Sequence, residues 1–414
     1  MNCGEAASAH QFKIAELRDL APVVGLQFLT RAVDSCSVVL VAGGHDRHIR
    51  MGSGYMRMAG PFLRRFRQVL AVAGLLVVTA AVLVAATVGW LYATPTRPRA
   101  TEAWLLGPSL PAARGELATA IAYGGPCAKS PCPEAEQMYV LGGLSTFFRP
   151  VRSVSVYNPI RKLWIKGPSL PARRHHFAAA AIGQTLYVSG GTTVAGLHLG
   201  MAWPPMDNFW RLTTSFDRWE SVGPMIEPRW GHRMVAHKGR LYVVGGRGPS
   251  SRVLIYTPDQ GWSLGAELPR PRDHLSVVVV DGLIWAIGGR DPRSLARVDI
   301  YNPAMDTWQP GPELPAPTSG AAEGVINGVI FIYGGEEPSF IDGGINDRHW
   351  MFDTRGASPR WEPAPAPPLA VHGADGAVLN DSMVIAGGST RHGALSPTGW
   401  SKELQLMRPG VLRK

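Results

Sequence analysis

Trp164-Ile165-Lys166-Gly167-Pro168-Ser169-Leu170-Pro171 repeats, at the same spacing, Trp104-Leu105-Leu106-Gly107-Pro108-Ser109-Leu110-Pro111. Looser copies open at Trp219, Trp262, Trp308 and Trp361. Between copies comes an apolar run that ends in a glycine pair, as in Leu241-Tyr242-Val243-Val244-Gly245-Gly246. The pairs are Gly142-Gly143, Gly190-Gly191, Gly245-Gly246, Gly288-Gly289, Gly334-Gly335 and Gly387-Gly388, at spacings of 48, 55, 43, 46 and 53. A phrase returning at that period marks an array of one supersecondary unit. It overrides the prior of two or three domains that 414 residues would otherwise carry.

Within each unit the apolar run before the glycine pair is rich in β-branched and aromatic residues. In the short units a second run follows, such as Val253–Tyr256 or Val298–Tyr301, and then the Trp and the Gly-Pro-x-Leu-Pro turn. The next run, such as Leu275–Val280 or Phe177–Ile182, is apolar or small on both faces, which suits an inner strand at a crowded axis. Glycine permits close backbone approach and positive φ. The Trp is a large apolar plate. Proline ends a strand and fixes φ. Each of these residues has a structural use, and none is assigned chemistry.

The glycine pair, the third-strand aromatic (Tyr157, Tyr256, Tyr301), the fourth-strand Trp and the Leu-Pro-x-x-Arg turn together resemble the kelch family from residue 101 to about 408. That resemblance implies one four-stranded blade per repeat. Six pairs and six phrase-opening Trp residues imply six blades. Trp104 precedes the first pair and no phrase Trp follows Lys402–Met407, so the strand near Thr101–Leu105 is expected to complete the last blade. The expected fold is all-β: a six-bladed kelch-type β-propeller over 101–408, closed by an N-terminal strand and preceded by one transmembrane helix. Residues 409–414 form a tail.

Val69 to Ala93 carries no charge over 25 residues, enough to span a hydrocarbon core of ~30 Å. Trp90 and Tyr92 lie at its far end. Arg64, Arg65 and Arg67 precede it, against Arg97 and Arg99 after it. The expected orientation is N-terminus cytoplasmic and propeller extracytoplasmic, with a membrane anchor preferred to a cleaved signal that would leave a secreted protein. Residues 1–68 are read as a cytoplasmic segment outside the fold, with Met51, Met56 and Met58 as alternative starts. Ser37–Gly44 imitates a blade strand but lacks a partner Trp phrase. Residues 94–100 form a stiff linker. Cys127 and Cys132, the two cysteines beyond the apolar run, are expected to form a small disulfide loop on the oxidising side.

The net charge of +10 divides unevenly. Residues 1–100 hold 11 Lys/Arg and 5 Asp/Glu, a balance of +6, and residues 101–414 hold 30 and 26, a balance of +4. The excess lies mainly near the membrane, and no basic stripe with interleaved aromatics marks a nucleic-acid binder.

The turns before the inner strands carry Arg114, Arg173, Arg174, Arg229 and Arg272, with His175, His176, His232 and His274 nearby. At the fifth and sixth turns Thr318 and Val371 stand where Arg would be. The long second-to-third loops add Phe147, Arg149, Arg152, Trp203, Arg391, His392 and Trp400. Both sets belong to one face, and long loops on a rigid scaffold are where binding concentrates. The candidate ligand residues are Arg114, Arg174, Arg229, Arg272, His176, His232, His274, Trp203 and His392. An Arg-rich mouth fits an acidic glycan, a carboxylate or an acidic peptide, although the Arg also fits a consensus role bonding loop carbonyls.

The expected function is a binding module for a protein or glycan, with no cofactor and no catalytic constellation. One enzyme alternative resembles the periplasmic sialic-acid mutarotases. It needs an acid/base pair, for which Glu116, Glu336 and Glu337 are available, and an Arg. An oxidase resembling galactose oxidase needs a Cys–Tyr crosslink, which the position of Cys127 and Cys132 disfavours. The spacing of the mouth histidines matches no recognised metal motif, and no metal ligands are assigned.

Overall fold

The computed structural model describes residues 30–32, 38–42, 45–49, 72–74, 76–84, 98–124, 136–194, 203–337, 344–392, 399–408 and 410. The chain divides into two compact units, Met1–Trp90 and Leu91–Lys414. In the first, Thr30–Ala32, Val38–Ala42 and His45–Ile49 form a three-stranded antiparallel sheet. Residues 72–74 and 76–84 are helical, and the remainder of Val69–Ala93 lies outside the described residues. Among the described residues no helix is long and apolar enough to cross a membrane. Cys127 and Cys132, like Cys3 and Cys36, also lie outside them.

The second unit is a six-bladed propeller of four-stranded antiparallel sheets. Blade one comprises Ala118–Tyr123, Glu136–Leu141, Val154–Asn158 and Leu163–Lys166. Blades two to five have inner strands Ala178–Ile182, Arg233–His237, Ser276–Val280 and Ala322–Ile326. Blade six takes Gly376–Leu379, Ser382–Ala386 and Leu404–Met407 from the end of the chain. Its outer strand is Trp104–Leu106, with Met407 opposite Trp104 and Gln405 opposite Leu106.

The core lies between blades rather than within them. The described residues form six apolar clusters, each drawn from two adjacent blades. That is the outcome for a sheet with two apolar faces, which must be covered on both sides. The repeated phrase also locks one blade to the next. Trp164 Nε1 donates to Pro108 O at 2.7 Å, and Trp219 Nε1 to Pro168 O at 2.9 Å. Trp361 and Trp104 do the same to Pro312 O and Pro365 O, both at 2.9 Å. Each of these four indoles reaches a proline carbonyl in the turn of the preceding copy, Gly-Pro in three cases and Ala364-Pro365 for Trp104, so it supplies area and directed bonding together.

The glycine pairs sit where neighbouring blades approach most closely. Gly334 and Gly335 have φ of +70° and +91°, and a Cβ on Gly334 would stand 2.1 Å from Val371 O. The second glycine of every pair donates its N–H to the next blade, from Gly143 to Arg174 O through Gly388 to Arg114 O, at 2.7–2.9 Å. No other residue combines that φ with that clearance.

Trp104 is fully buried, stands edge-on to Tyr333 with ring centroids 5.0 Å apart, and bonds across to blade five. Trp104→Ala is expected to lower unfolding free energy by about 3–5 kcal/mol, measured by denaturant titration. Deleting residues 100–106 should lower the melting temperature more sharply still, and an unchanged melt would refute the structural role given to this strand.

Candidate functional site: the axial cluster

The six turns into the inner strands align residue by residue. They read Arg114-Gly115-Glu116, Arg174-His175-His176, Arg229-Trp230-Gly231, Arg272-Asp273-His274, Thr318-Ser319-Gly320 and Val371-His372-Gly373. The third residue of each donates its N–H to the carbonyl of the third residue in the blade before. His176 N to Glu116 O is 3.2 Å, Gly231 to His176 2.7 Å, and His274 to Gly231 2.9 Å. Gly320 to His274 is 2.8 Å, Gly373 to Gly320 2.9 Å, and Glu116 to Gly373 2.6 Å, which closes the circle. All six residues are left-handed, with φ between +49° and +67°. Three are glycines, for which that conformation is free. Glu116, His176 and His274 adopt it at a cost of about 1 kcal/mol each.

The ring backbone brings these three side chains together. His176 Nε2 lies 3.2 Å and His274 Nε2 3.8 Å from Glu116 Oε2. His372 Nδ1 stands 3.7 Å from Glu116 Oε1 and 3.6 Å from Glu336 Oε2. Asp273 Oδ1 accepts from His274 Nδ1 at 2.5 Å. Arg290 spans Asp273, Glu336 and His274 Nε2 at 2.9, 3.0 and 3.1 Å. The rings of Trp203 and Trp230 pack edge-on against His176, at 4.8 and 5.7 Å. Burial, with the charges of His175, His274, Arg290 and His372, holds His176 far below the ordinary imidazole range. Burial opposes ionisation of Asp273, but His274, Arg290 and Arg247 prevail and keep its carboxyl well below the carboxylate range.

The structure distributes the sequence-derived candidates differently. Arg114, Arg174, Arg229 and Arg272 are at most 2% exposed and lie inside the blades, not in the mouth. Arg174, Arg229 and Arg272 each bond the carbonyl of the first glycine of their own blade's pair, Gly190, Gly245 and Gly288, at 2.8–3.0 Å. Arg114 instead reaches Val140 O and Ser155 Oγ. A buried guanidinium must be paired, and carbonyls left over from the strand ladder supply partners, joined by Glu227 for Arg229 and Asp299 for Arg272. At blade five Thr318 Oγ1 takes the same place on Gly334 O at 2.9 Å.

His232 also leaves the mouth. It occupies the blade-interface position that Leu117, Phe177 and Leu275 fill elsewhere, and it bonds Ser189 Oγ at 2.9 Å. Burial, then the Arg229 and Arg233 charges, pushes it down to about 3. His176, His274 and Trp203 do meet at the axis. His392 is half-buried on the loop after Gly388. Among the described residues, exposed cations of this face include Arg149, Arg152, Arg173, Arg247, Arg270, Arg293 and Arg348. Of the acid/base candidates, Glu116 and Glu336 reach the axial cluster. The signal that would have found the triad is the third position of the aligned turns, which reads Glu, His, Gly, His, Gly, Gly.

Deeper along the axis lies a cavity of about 260 Å³, bounded in part by Thr119, Arg233, Glu323 and Asp375. Arg233 bonds Glu323 Oε1 at 2.8 Å and Asp375 Oδ1 at 2.7 Å. One cation cannot neutralise two buried carboxylates. Burial and the neighbouring Asp375 push Glu323 up to about 7, against the pull of Arg233.

Comparison with known proteins follows the same lines. The family model described as the Kelch motif matches residues 173–226 and 271–315. The chain is 26% identical over 157 residues to human Kelch-like protein 23, a match covering 37% of this chain and 27% of that protein. It is 30% identical over 180 residues to mouse Kelch-like protein 35, covering 42% and 29%. It is 33% identical over 144 residues to Beta-scruin of Limulus polyphemus, covering 33% and 16%. The match thus spans under a third of each relative's length. Among solved structures, that titled "Structure of YjhT" superposes with a TM-score of 0.57 at 16% identity, over 72% of this chain and 96% of that one, a likeness of fold.

Two outcomes test the energetics of the axis. Glu116→Gly should raise unfolding free energy by about 1 kcal/mol, since it removes a left-handed non-glycine residue and a part-buried carboxylate. Glu323 holds its proton more tightly folded than unfolded. Its contribution is therefore complete below the ordinary carboxyl range and declines as pH rises from about 4.5 to about 7. Denaturant melts across that window should show stability falling by on the order of 2 kcal/mol, and Glu323→Gln should flatten the slope.

Proposed function

The chain is a kelch-repeat β-propeller, and from that premise we propose that it is a membrane-tethered, extracytoplasmic interaction module that binds its ligand on the face of the long loops. The carrying observation is the difference between its two faces. On one side, blades two to six turn from first to second strand in two residues. Four of these turns, Lys238-Gly239, Asp281-Gly282, Asn327-Gly328 and Asn380-Asp381, have positive φ at both positions, the tight hairpin geometry. On the other side, the described parts of the second-to-third strand loops, residues 190–194, 203–205, 334–337, 344–349, 387–392 and 399–403, include Trp203 and Glu336, which reach the axial cluster. Such loops on a rigid ring suit recognition of a partner.

A protein segment is favoured over an acidic glycan as the ligand. The four arginines that would have made a carboxylate-binding mouth are engaged within the blades. Arg149, Arg152 and Arg173 still give one lip of the face a positive rim suited to acidic side chains. The tether rests on the uncharged run Val69–Ala93 and the arginines before it.

Photo-crosslinkers placed in the full-length protein at Arg152 and at Asn327 test the assignment on intact cells. Adducts to a protein are expected from Arg152 and not from Asn327. Adducts from Asn327 alone would overturn the choice of face. Protease added outside the cells should remove the propeller; a protected propeller would overturn the orientation.

A further inference from the structure

We propose that Glu116, His176 and His274 form a mononuclear site for a divalent transition metal of the zinc type on the propeller axis, with water as the fourth ligand. The first argument is the backbone. The ring positions are geometrically equivalent, and Gly231, Gly320 and Gly373 adopt the left-handed conformation without strain. At the other three positions the strained residues are two imidazoles and a carboxylate, a donor set that suits zinc. One ligand atom from each lies within 4.8 Å of the others. A tetrahedral zinc with ligands at about 2.0–2.2 Å has edges of about 3.3 Å. The observed 3.2 and 3.8 Å to Glu116 Oε2 are near that value, and the separation between the two histidine nitrogens, within 4.8 Å, closes to it by rotation of the imidazoles.

The second argument is hydrogen bookkeeping. His175 Nε2 lies 2.9 Å from Val194 O, which can only accept, so His175 carries its proton on Nε2. His175 Nδ1 is then an acceptor, and His176 Nδ1, bonded to it, donates. His176 Nε2 is left with a lone pair facing the Glu116 carboxylate. Independently, Asp273 Oδ1 fixes the proton of His274 on Nδ1 and leaves a second lone pair on Nε2. Such carboxylate–histidine pairs orient metal ligands. Two lone pairs and a carboxylate oxygen converge, and a cation satisfies all three.

The surroundings allow it. The facing charges are Glu116, Asp273 and Glu336 against Arg290, with His372 beside them and Arg233, itself paired with Glu323 and Asp375, lining the adjoining cavity. Arg290 donates to His274 Nε2, but it also holds Asp273 and Glu336 and keeps both when a metal takes that lone pair. Beside the triad is a cavity of about 20 Å³, room for one ion or one water. The alternative occupant is a proton shared between Glu116 and His176.

The test uses the chelator-stripped full-length protein with Co²⁺ and Zn²⁺ alone. The expected result is one equivalent of Co²⁺ bound with the visible absorption of a tetrahedral site, displaced by Zn²⁺. Tryptophan emission should be quenched, since Trp203 and Trp230 pack on His176. Glu116→Gln, His176→Gln and His274→Gln should each weaken binding at least tenfold. His392→Ala, on the same face but outside the triad, should not. Asp273→Asn, a positioning change, should shift the Co²⁺ spectrum and weaken binding roughly tenfold. Thermal melts of each variant separate loss of a ligand from loss of fold. Absence of saturable binding up to about 1 mM metal, or binding that survives all three triad variants, would overturn the proposal in favour of the shared proton or of ligands elsewhere in the chain.

Discussion

Each inner turn passes one N–H to the carbonyl of the blade before it, and after six such bonds the circle has no end. That annulus of peptide groups is the constraint on which the rest depends. It demands a left-handed residue at every blade, which fixes where the following strand begins and turns the side chain toward the axis. Whatever residue stands there meets its counterparts from blades far away in sequence. Glu116, His176 and His274 come from blades one, two and four, yet their donor atoms are neighbours.

Outside the annulus, cohesion comes from a phrase that is its own complement. In four of the six copies the indole bonds a proline carbonyl of the previous copy, and the second glycine of each pair bonds the turn of the next. These contacts are head-to-tail, and such contacts build either a ring or an open filament. Here the rotation closes at six. Apolar area then accumulates between sheets, while buried polar groups are met in place, as Arg174 shows by bonding Gly190 O and lying 3.8 Å over the Trp210 ring.

Blade number and the structural use of Gly, Trp and Pro were legible because periodicity in a chain becomes rotation in a ring. The direction of the arginines was not. A Leu-Pro-x-x-Arg turn looks the same whether its guanidinium faces solvent or the carbonyl of a glycine in its own blade. Only the packed blade shows that a carbonyl was left unpaired there. His232 misled for a related reason, because a histidine one place past the ring position enters the blade interface, where Ser189 receives it. The axial triad was hidden because its members are 60 and 98 residues apart, and no local motif spans such distances. Trp203 was legible as a loop aromatic, but not as a wall of the cluster.

Both ends of the propeller meet in blade six, where Trp104–Leu106 is the outermost strand. Any tension arriving through the residues before Thr101 is therefore borne by this one short strand. A pull along the strand loads its ladder bonds side by side, and they resist together. A pull away from the sheet opens them singly, beginning where Arg408 N meets Ala103 O at 2.8 Å. The next residue to be drawn out is Trp104, whose indole is wedged against Tyr333. The ring is mechanically anisotropic: stiff to one direction of force, and held in the other by a single aromatic plug.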